Sequence, residues 1–450
     1  MNLCRCWQVG YKKKEKINMI KIPLISIVIP TRNRQQYLLK TIETMLRFQN
    51  DNFEIIVQDN SDEPMSSLQL GCVLEDSRII YNYCKEELSF SENFDRAVCC
   101  AKGDYVCAIG DDDCVYSSIF EVTQWMKKNN IEALYPTIRS QYYWDGVKYE
   151  GYSKGQVTFS SKSHSLTLKK YNVKSEFEQF LKDGTLCYYR YGLPRVYNGI
   201  VSNASLLRVR SLGGKVFSGL VPDMYGVTTL SAVIEEVYLL DFPIILSGIC
   251  RQSGSSDAIT GKHLGSLDKS PHFRGNSSYK WSDKIPCFYS PETIWAETLV
   301  AALVDLKDEK SLNLINIEAF CANCIIKYGK YTPEIMICLN AYWKNIGKSS
   351  FRGKASIFRY TVFQLMKFTI YFRDDIKKYL EKKLYKERSF LISIPYKKFR
   401  NIMEHPKYVD IADIGIALDM AVNYFSQTCP PFCEIEENIE KLGVIKGNSI

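Results

Sequence analysis

Histidine is scarce in this chain of 450 residues: there are four, at wide spacing (His164, His263, His272 and His405). They make no metal-binding signature, which excludes a histidine-built metal centre. Long apolar runs are lacking as well. A membrane-spanning helix needs roughly 18 to 20 consecutive apolar residues. The nearest candidate, Phe358 to Phe372, is broken by Arg359, Gln364 and Lys367, so no transmembrane segment is expected. The amino-terminal stretch has neither the apolar core nor the small-residue cleavage site of a signal peptide, and a cytoplasmic location follows as the expectation. Residues 1–21 read as a basic, disordered extension, and Met19 before Ile-Lys-Ile-Pro looks like an alternative start.

Other absences narrow the chemistry. No G-x-G-x-x-G follows the first apolar strand, which argues against a dehydrogenase-type dinucleotide site. The 16 cysteines are scattered, several inside apolar strands or helices, which fits reduced buried thiols better than a disulfide framework. Cys321-Ala-Asn-Cys324 is the only C-x-x-C, and without a second pair a zinc or redox role has little support.

What is present is an ordinary globular composition, 46% hydrophobic and 24% charged, in a chain long enough for two or three domains. Leu24 to Ile29 reads as a strand that Pro30 terminates, followed by a polar loop Thr31 to Arg34 and a helical pattern over Gln35 to Gln49. A second strand, Phe53 to Val57, ends in Gln58-Asp59-Asn60-Ser61-Asp62. A third strand, a helix over Ser91 to Ala101 and a fourth strand, Tyr105 to Ile109, follow. Such alternation predicts an α/β fold with a mostly parallel sheet and flanking helices. Ligands of these sheets bind beyond the carboxyl ends of the strands. Thr31 to Arg34, Asp59 to Ser61 and Asp111 to Asp113 should therefore converge on one cleft.

Asp111, Asp112 and Asp113 follow the fourth strand directly. Adjacent carboxylates at the mouth of a buried strand repel one another, and desolvation sharpens the cost of each uncompensated charge. A hard divalent ion that takes oxygen ligands from one or two carboxylates and from substrate phosphates would relieve it. A solvated acidic turn is the plain alternative.

The blocks Ile27 to Arg34 (IVIPTRNR), Ile55 to Asp62 (IIVQDNSD), Ser91 to Ala97 (SENFDRA) and Ala101 to Asp113 (AKGDY…GDDD) resemble the GT-A glycosyltransferases of family 2. The Gly-Asp-Asp-Asp form looks most like the surface-polysaccharide subgroup that includes abequosyltransferases. The resemblance is strong over about residues 22–140, weakens beyond, and ends near 290. It implies a GT-A catalytic domain over 22–290, with a nucleotide half about 22–140 and an acceptor half about 141–290, followed by a mainly α-helical region over 291–450. It further implies an inverting transfer from a nucleotide-diphosphate sugar donor to a saccharide acceptor, lipid-linked in envelope polysaccharide (O-antigen or capsule type) assembly, with Mn²⁺ or Mg²⁺ as cofactor.

Carried over residue by residue, Pro30, Thr31 and Arg34 would line the base pocket, and Asp59 would accept a hydrogen bond from base or ribose. The family usually has two acids where Gln58-Asp59 stands, and a turn-forming role is the alternative for Asp59. Asn93 and Arg96 would help place the nucleotide or else be plain helix-face residues. Asp111 would lie toward the ribose, Asp112 would be the principal metal ligand and Asp113 would assist. Asp223 would be the catalytic base, its alternative being the N-cap of the following helix. Arg251 or Ser253 could reach the diphosphate, and His263 could add a contact. Tyr142, Tyr143, Trp144, Tyr188, Tyr189, Tyr191 and Tyr197 would cover the acceptor or form an aromatic core.

Between Lys344 and Arg400 there are sixteen Lys or Arg against four Asp or Glu, a net +12 in a chain whose total is +8. Aromatics interleave this charge, which suits peripheral contact with an anionic membrane surface or simply a solvated basic face. No nucleic-acid module accompanies it, and no nucleic-acid partner is expected. Two further readings stand beside the transferase: a nucleotidyltransferase on a related fold, which would need a glycine-rich phosphate loop with a lysine, and a degenerate saccharide-binding or scaffold protein.

Overall fold

The structure, a computed structural model, describes residues 22–66, 69–71, 75–137, 140–147, 155–159, 167–253, 264–267, 270–275, 279–364, 366 and 407–442. In chain order the strands are β1 (Ile25–Thr31), β2 (Phe53–Asp59), β3 (Ile79–Tyr83), β4 (Tyr105–Ala108), β5 (Cys114–Val115), β6 (Ala133–Pro136), β7 (Ser140–Tyr143), β8 (Gln156–Phe159), β9 (Leu168–Asn172), β10 (Ile200–Ser202), β11 (Glu236–Leu240), β12 (Ile245–Ile249) and β13 (Lys407–Val409). The helices are α1 (Gln35–Leu46), α2 (Phe90–Cys99), α3 (Ser118–Lys128), α4 (Val173–Lys182), α5 (Asn203–Gly213), α6 (Pro222–Ser231), α7 (Pro291–Asp305), α8 (Glu309–Leu314), α9 (Ile317–Lys327), α10 (Thr332–Asn345), α11 (Ile414–Thr428) and α12 (Phe432–Leu442). A further helix covers residues 350–364.

The apolar strands are nearly continuous because both of their faces are buried. Ile25, Ile27 and Ile29 of β1 enter one core while Val28 enters the other, and β2 and β4 divide their side chains in the same way. The large sheet runs β3-β2-β1-β4-β10-β6-β11-β9. Its first four strands are parallel, as the βα alternation requires. Beyond β4 the sheet turns mixed: β10 is antiparallel to both neighbours, and β9 is antiparallel to β11. Parallel pairing recurs further along, between β6 and β11. β1 also runs through Pro30 to Thr31 instead of stopping before it. Its pairing with β4 has ended at Val28, so the N–H that proline lacks removes no ladder bond.

A second sheet, β13-β8-β7-β12-β5, packs on the face that carries α1 and α3. The chain passes from β4 in the large sheet to β5 in the small one through Gly110 to Asp113, so the acidic trio sits at the seam between the sheets.

The carboxyl-terminal region is mainly helical, but the expected boundary at 290 does not begin a separate core. Helices α7, α9 and α10 share the core of α4 and α6. Residues 407–442 return to the sheet region and contact both of its halves. There β13 pairs with β8, the Tyr142 hydroxyl donates to the Ile411 carbonyl at 2.9 Å, and Arg47 of α1 pairs with Asp419 of α11 at 2.9 Å. Residues 1–21 lie outside the described residues.

Candidate active site

All three acids of the trio are buried, and the chain itself supplies most of their partners. The Thr31 hydroxyl donates to Asp111 Oδ2 at 2.6 Å, and Arg34 Nε donates to the same oxygen at 3.0 Å. Arg34 Nη2 lies 2.5 Å from Asp111 Oδ1. Asp113 accepts from the backbone N–H of Gly248 at 2.7 Å and of Gly110 at 2.8 Å, and from the Tyr197 hydroxyl at 3.1 Å. Asp112 accepts from the Cys250 N–H at 3.0 Å through Oδ2, and its Oδ1 stands 3.8 Å from Arg34 Nη1. Burial raises the Asp111 pKa against the opposing charge of Arg34. It raises Asp113 too, aided by the neighbouring charge of Asp112 and opposed by the donors around it.

Local sequence explains the positions. Parallel register sets Thr31 opposite Asp59, so the ends of β1 and β2 come level. Asn33 adopts a left-handed φ of 54°, a conformation asparagine tolerates, and turns the loop so that its N–H meets Ser61 Oγ at 2.7 Å. Arg34 follows at the start of α1, beside Asp111. Glycine is required at 248: a Cβ there would sit 1.6 Å from the Asp112 carbonyl oxygen. The Trp144 indole donates to that same carbonyl at 2.9 Å, and Thr41 bonds the carbonyls of Asp111 and Asp113 at 3.1 and 3.0 Å.

Several expectations change at this point. Arg34, expected as a wall of the base pocket, is instead the counter-ion of Asp111. Burial works against its charge, but Asp111 and Asp112 hold it protonated. Asp113, expected as an assisting metal ligand, has both oxygens engaged by donors and serves to join the two sheets. Asp111, expected toward the ribose, is enclosed by Thr31 and Arg34. Asp59 is fully buried, with Oδ1 accepting from the Ser61 N–H at 2.8 Å and Oδ2 from the Tyr81 hydroxyl at 2.8 Å, which is the turn-forming alternative. Pro30 is buried within β1.

Asn93 does join the site. A capping box between Ser89 and Glu92 starts α2, and Asn93 Nδ2 then donates to the Thr31 carbonyl at 3.2 Å while its buried Oδ1 has no partner. Arg96 turns away, to Glu86 at 3.2 Å and Cys84 Sγ at 3.1 Å. Arg251 is exposed in the turn after β12, and Ser253 bonds the Cys250 carbonyl at 3.0 Å. His263 lies outside the described residues.

Asp223 occupies the first turn of α6, after Val221 at the N-cap and Pro222, and its side chain caps nothing. It is partly accessible yet enclosed enough that burial lifts its pKa to about 6, against the nearby charge of Arg195 and a hydrogen bond with Tyr188. Tyr188 and Tyr189 stack at 4.0 Å between ring centroids, and Trp295 meets Tyr188 edge-on at 5.5 Å. Arg195 lies over the Tyr135 ring at 3.9 Å. Tyr197 connects the acids. Its pKa is raised first by burial and then by the charges of Asp113, Asp112 and Asp223.

The chemistry of the donor set admits a divalent cation in one way. Asp112 Oδ1 is the trio oxygen with neither a hydrogen bond nor a close ion pair, and one carboxylate with substrate phosphates and waters is a common Mg²⁺ arrangement. Among the described residues no group of three or more His, Cys, Asp or Glu side chains could hold a metal ion alone.

Sequence reasoning missed Asn60, whose amide donates to the carbonyls of Cys84 at 2.8 Å and Glu86 at 2.6 Å and whose Oδ1 accepts from Arg274 at 3.2 Å. It also missed Arg195 and the N–H groups of Gly248 and Cys250. Backbone donors carry no residue signal, though the small residue at 248 next to an apolar run was a trace of one.

Comparison with known proteins covers part of the chain. The model of the family "Glycosyl transferase family 2" matches residues 26–188. A protein of Escherichia coli (strain K12) named for a glycosyl transferase of colanic acid biosynthesis, WcaA, is 36% identical over 92 residues, 20% of this chain and 33% of that protein. Glycosyltransferase GlyG of Streptococcus pneumoniae serotype 4 is 27% identical over 119 residues, 26% of this chain and 36% of that protein. The matched stretch thus spans about a third of these relatives. Among solved structures, S. aureus TarS 1-349 in complex with UDP-GlcNAc is similar at a TM-score of 0.40 and 11% identity, covering 72% of this chain and 93% of that one. The four sequence blocks all lie inside the matched stretch, so over residues 26–188 the chain is similar to glycosyltransferase family 2.

Proposed function

We propose that the protein is an inverting glycosyltransferase that moves a sugar from a nucleotide-diphosphate donor to a lipid-linked saccharide acceptor in envelope polysaccharide assembly. The observation that carries this reading is the pairing of Asp112, which keeps one carboxylate oxygen free, with Asp223, which lies beyond Tyr197 and caps nothing. Asp223 accepts the proton of the acceptor hydroxyl, whose oxygen attacks the anomeric carbon. The bond from that carbon to the diphosphate breaks, and the nucleoside diphosphate leaves with the electron pair. One displacement inverts the anomeric configuration. Thr31, Asn93 and Arg34 fix the loop that borders the donor, and Tyr189 and Trp295, backed by the buried Tyr188, offer aromatic faces on which an acceptor ring can stack.

A divalent cation, held by Asp112, would neutralise charge on the departing diphosphate. The similarity to WcaA, named for colanic acid biosynthesis, supports the polysaccharide assignment. Product analysis tests the proposal. Incubation with donor, Mn²⁺ and a saccharide acceptor should yield a glycoside of inverted configuration, and Asp112→Asn should abolish it. Retained configuration, or parent-level transfer by Asp112→Asn, would overturn the reading.

A further inference from the structure

The helix over 350–364 has one face buried on the helical region. Gly353 packs on the Trp343 ring so closely that a Cβ would lie 2.3 Å from it, Ser356 donates to Glu318 at 2.6 Å, and Asn316 donates to the Tyr360 hydroxyl at 3.1 Å. Ile357 completes that face at 8% exposure. Gly353, Ser356, Ile357 and Tyr360 recur at helical spacing, so these contacts fix the rotation of the helix. Phe351 and Phe358, seven residues apart and therefore on one side, are 83% and 71% exposed. Ala355 lies between them, and Arg352, Lys354 and Arg359 are exposed around them. Arg359 also lies over the Tyr360 ring at 5.4 Å.

Two largely exposed phenylalanines among three basic side chains are costly to leave in water and need a partner that is both apolar and anionic. From 344 to 364 the chain has five Lys or Arg and no Asp or Glu, so its charge favours an anionic partner throughout. Among the described residues no helix is long and apolar enough to cross a membrane.

We propose that this face docks on an anionic lipid surface, with Phe351 and Phe358 entering the headgroup boundary and Arg352, Lys354 and Arg359 meeting lipid phosphates. The inference is independent of the transfer chemistry: it concerns where the protein sits and not what it catalyses.

Co-sedimentation of the full chain with vesicles tests it. The parent should bind phosphatidylcholine vesicles containing phosphatidylglycerol, bind pure phosphatidylcholine poorly, and be released by salt. F351S/F358S should weaken binding at least roughly tenfold, and R352Q/K354Q/R359Q on the order of a hundredfold. Both variants should keep the parent's melting temperature and its transfer rate on a soluble acceptor. Parent-level vesicle binding by F351S/F358S would overturn the proposal, since the attraction would then come from basic sequence elsewhere. Equal binding to both vesicle types would overturn it as well. So would a fall in solution mass on F351S/F358S substitution, which would make this face an interface between copies of the chain.

Discussion

The two acidic regions of this protein are built in opposite ways. Asp111 and Asp113 are wrapped by donors from four different stretches: Thr31 and Arg34, Gly110, Tyr197 and Gly248. Asp223 sits in the first turn of a helix whose N-cap is Val221, and meets one tyrosine with Arg195 nearby. A carboxylate enclosed by fixed donors holds a fold together, because removing any partner strands a charge. A carboxylate with few partners and a raised pKa is available to take a proton. On the proposed function, the trio is chiefly architecture with one oxygen left for the donor's cation, and Asp223 is the group that takes the proton.

Substitutions can break this contrast. The largest effect is expected from Asp223→Asn, which should lower kcat by roughly 10² to 10⁴, the range for a lost general base, with the melting temperature nearly unchanged. Steady-state kinetics and a thermal melt read both quantities. Next, Arg34→Met should destabilise the fold by about 3–5 kcal/mol, the usual result of leaving a buried charge unpaired, as measured by chemical denaturation. A stable Arg34→Met protein would mean that the trio does not need its guanidinium.

The pH dependence sharpens the contrast further. A base must be ionised to accept a proton, so kcat/KM should fall as the pH drops below about 6, where the raised Asp223 carboxyl protonates. A profile flat down to pH 4 would assign the base elsewhere. The smallest effect is expected from Tyr197→Phe. It removes one of the three donors to Asp113 and should cost about 1–3 kcal/mol of stability.

The same contrast shows what the sequence makes legible. The nucleotide half could be read because its strands are buried on both faces and its polar loops fall at strand ends, a pattern local to each segment. Asp112 stood out as part of an acidic run directly after a buried strand, whereas an acid at a helix start is common and Asp223 was singled out only through the family resemblance. The partners of Asp113 could not be found this way: Gly248 lies 135 positions away and contributes only an N–H. The return of residues 407–442 was hidden for the same reason. β13 has only three residues, Lys407 to Val409, and only its pairing with β8 shows which sheet it completes. Arg34 was read as a wall of the base pocket, and its ion pair with Asp111 was not foreseen. The carboxylate that claims it is 77 positions away.

Calorimetric titration of a nucleoside diphosphate in the presence of Mn²⁺ tests the central claim most directly, with parent, Asp112→Asn and Asp113→Asn compared. The account predicts that Asp112→Asn loses Mn²⁺-dependent binding while keeping its fold, and that Asp113→Asn melts earlier but still binds. Undiminished binding by Asp112→Asn, or loss of binding by an Asp113→Asn protein that melts like the parent, would contradict it.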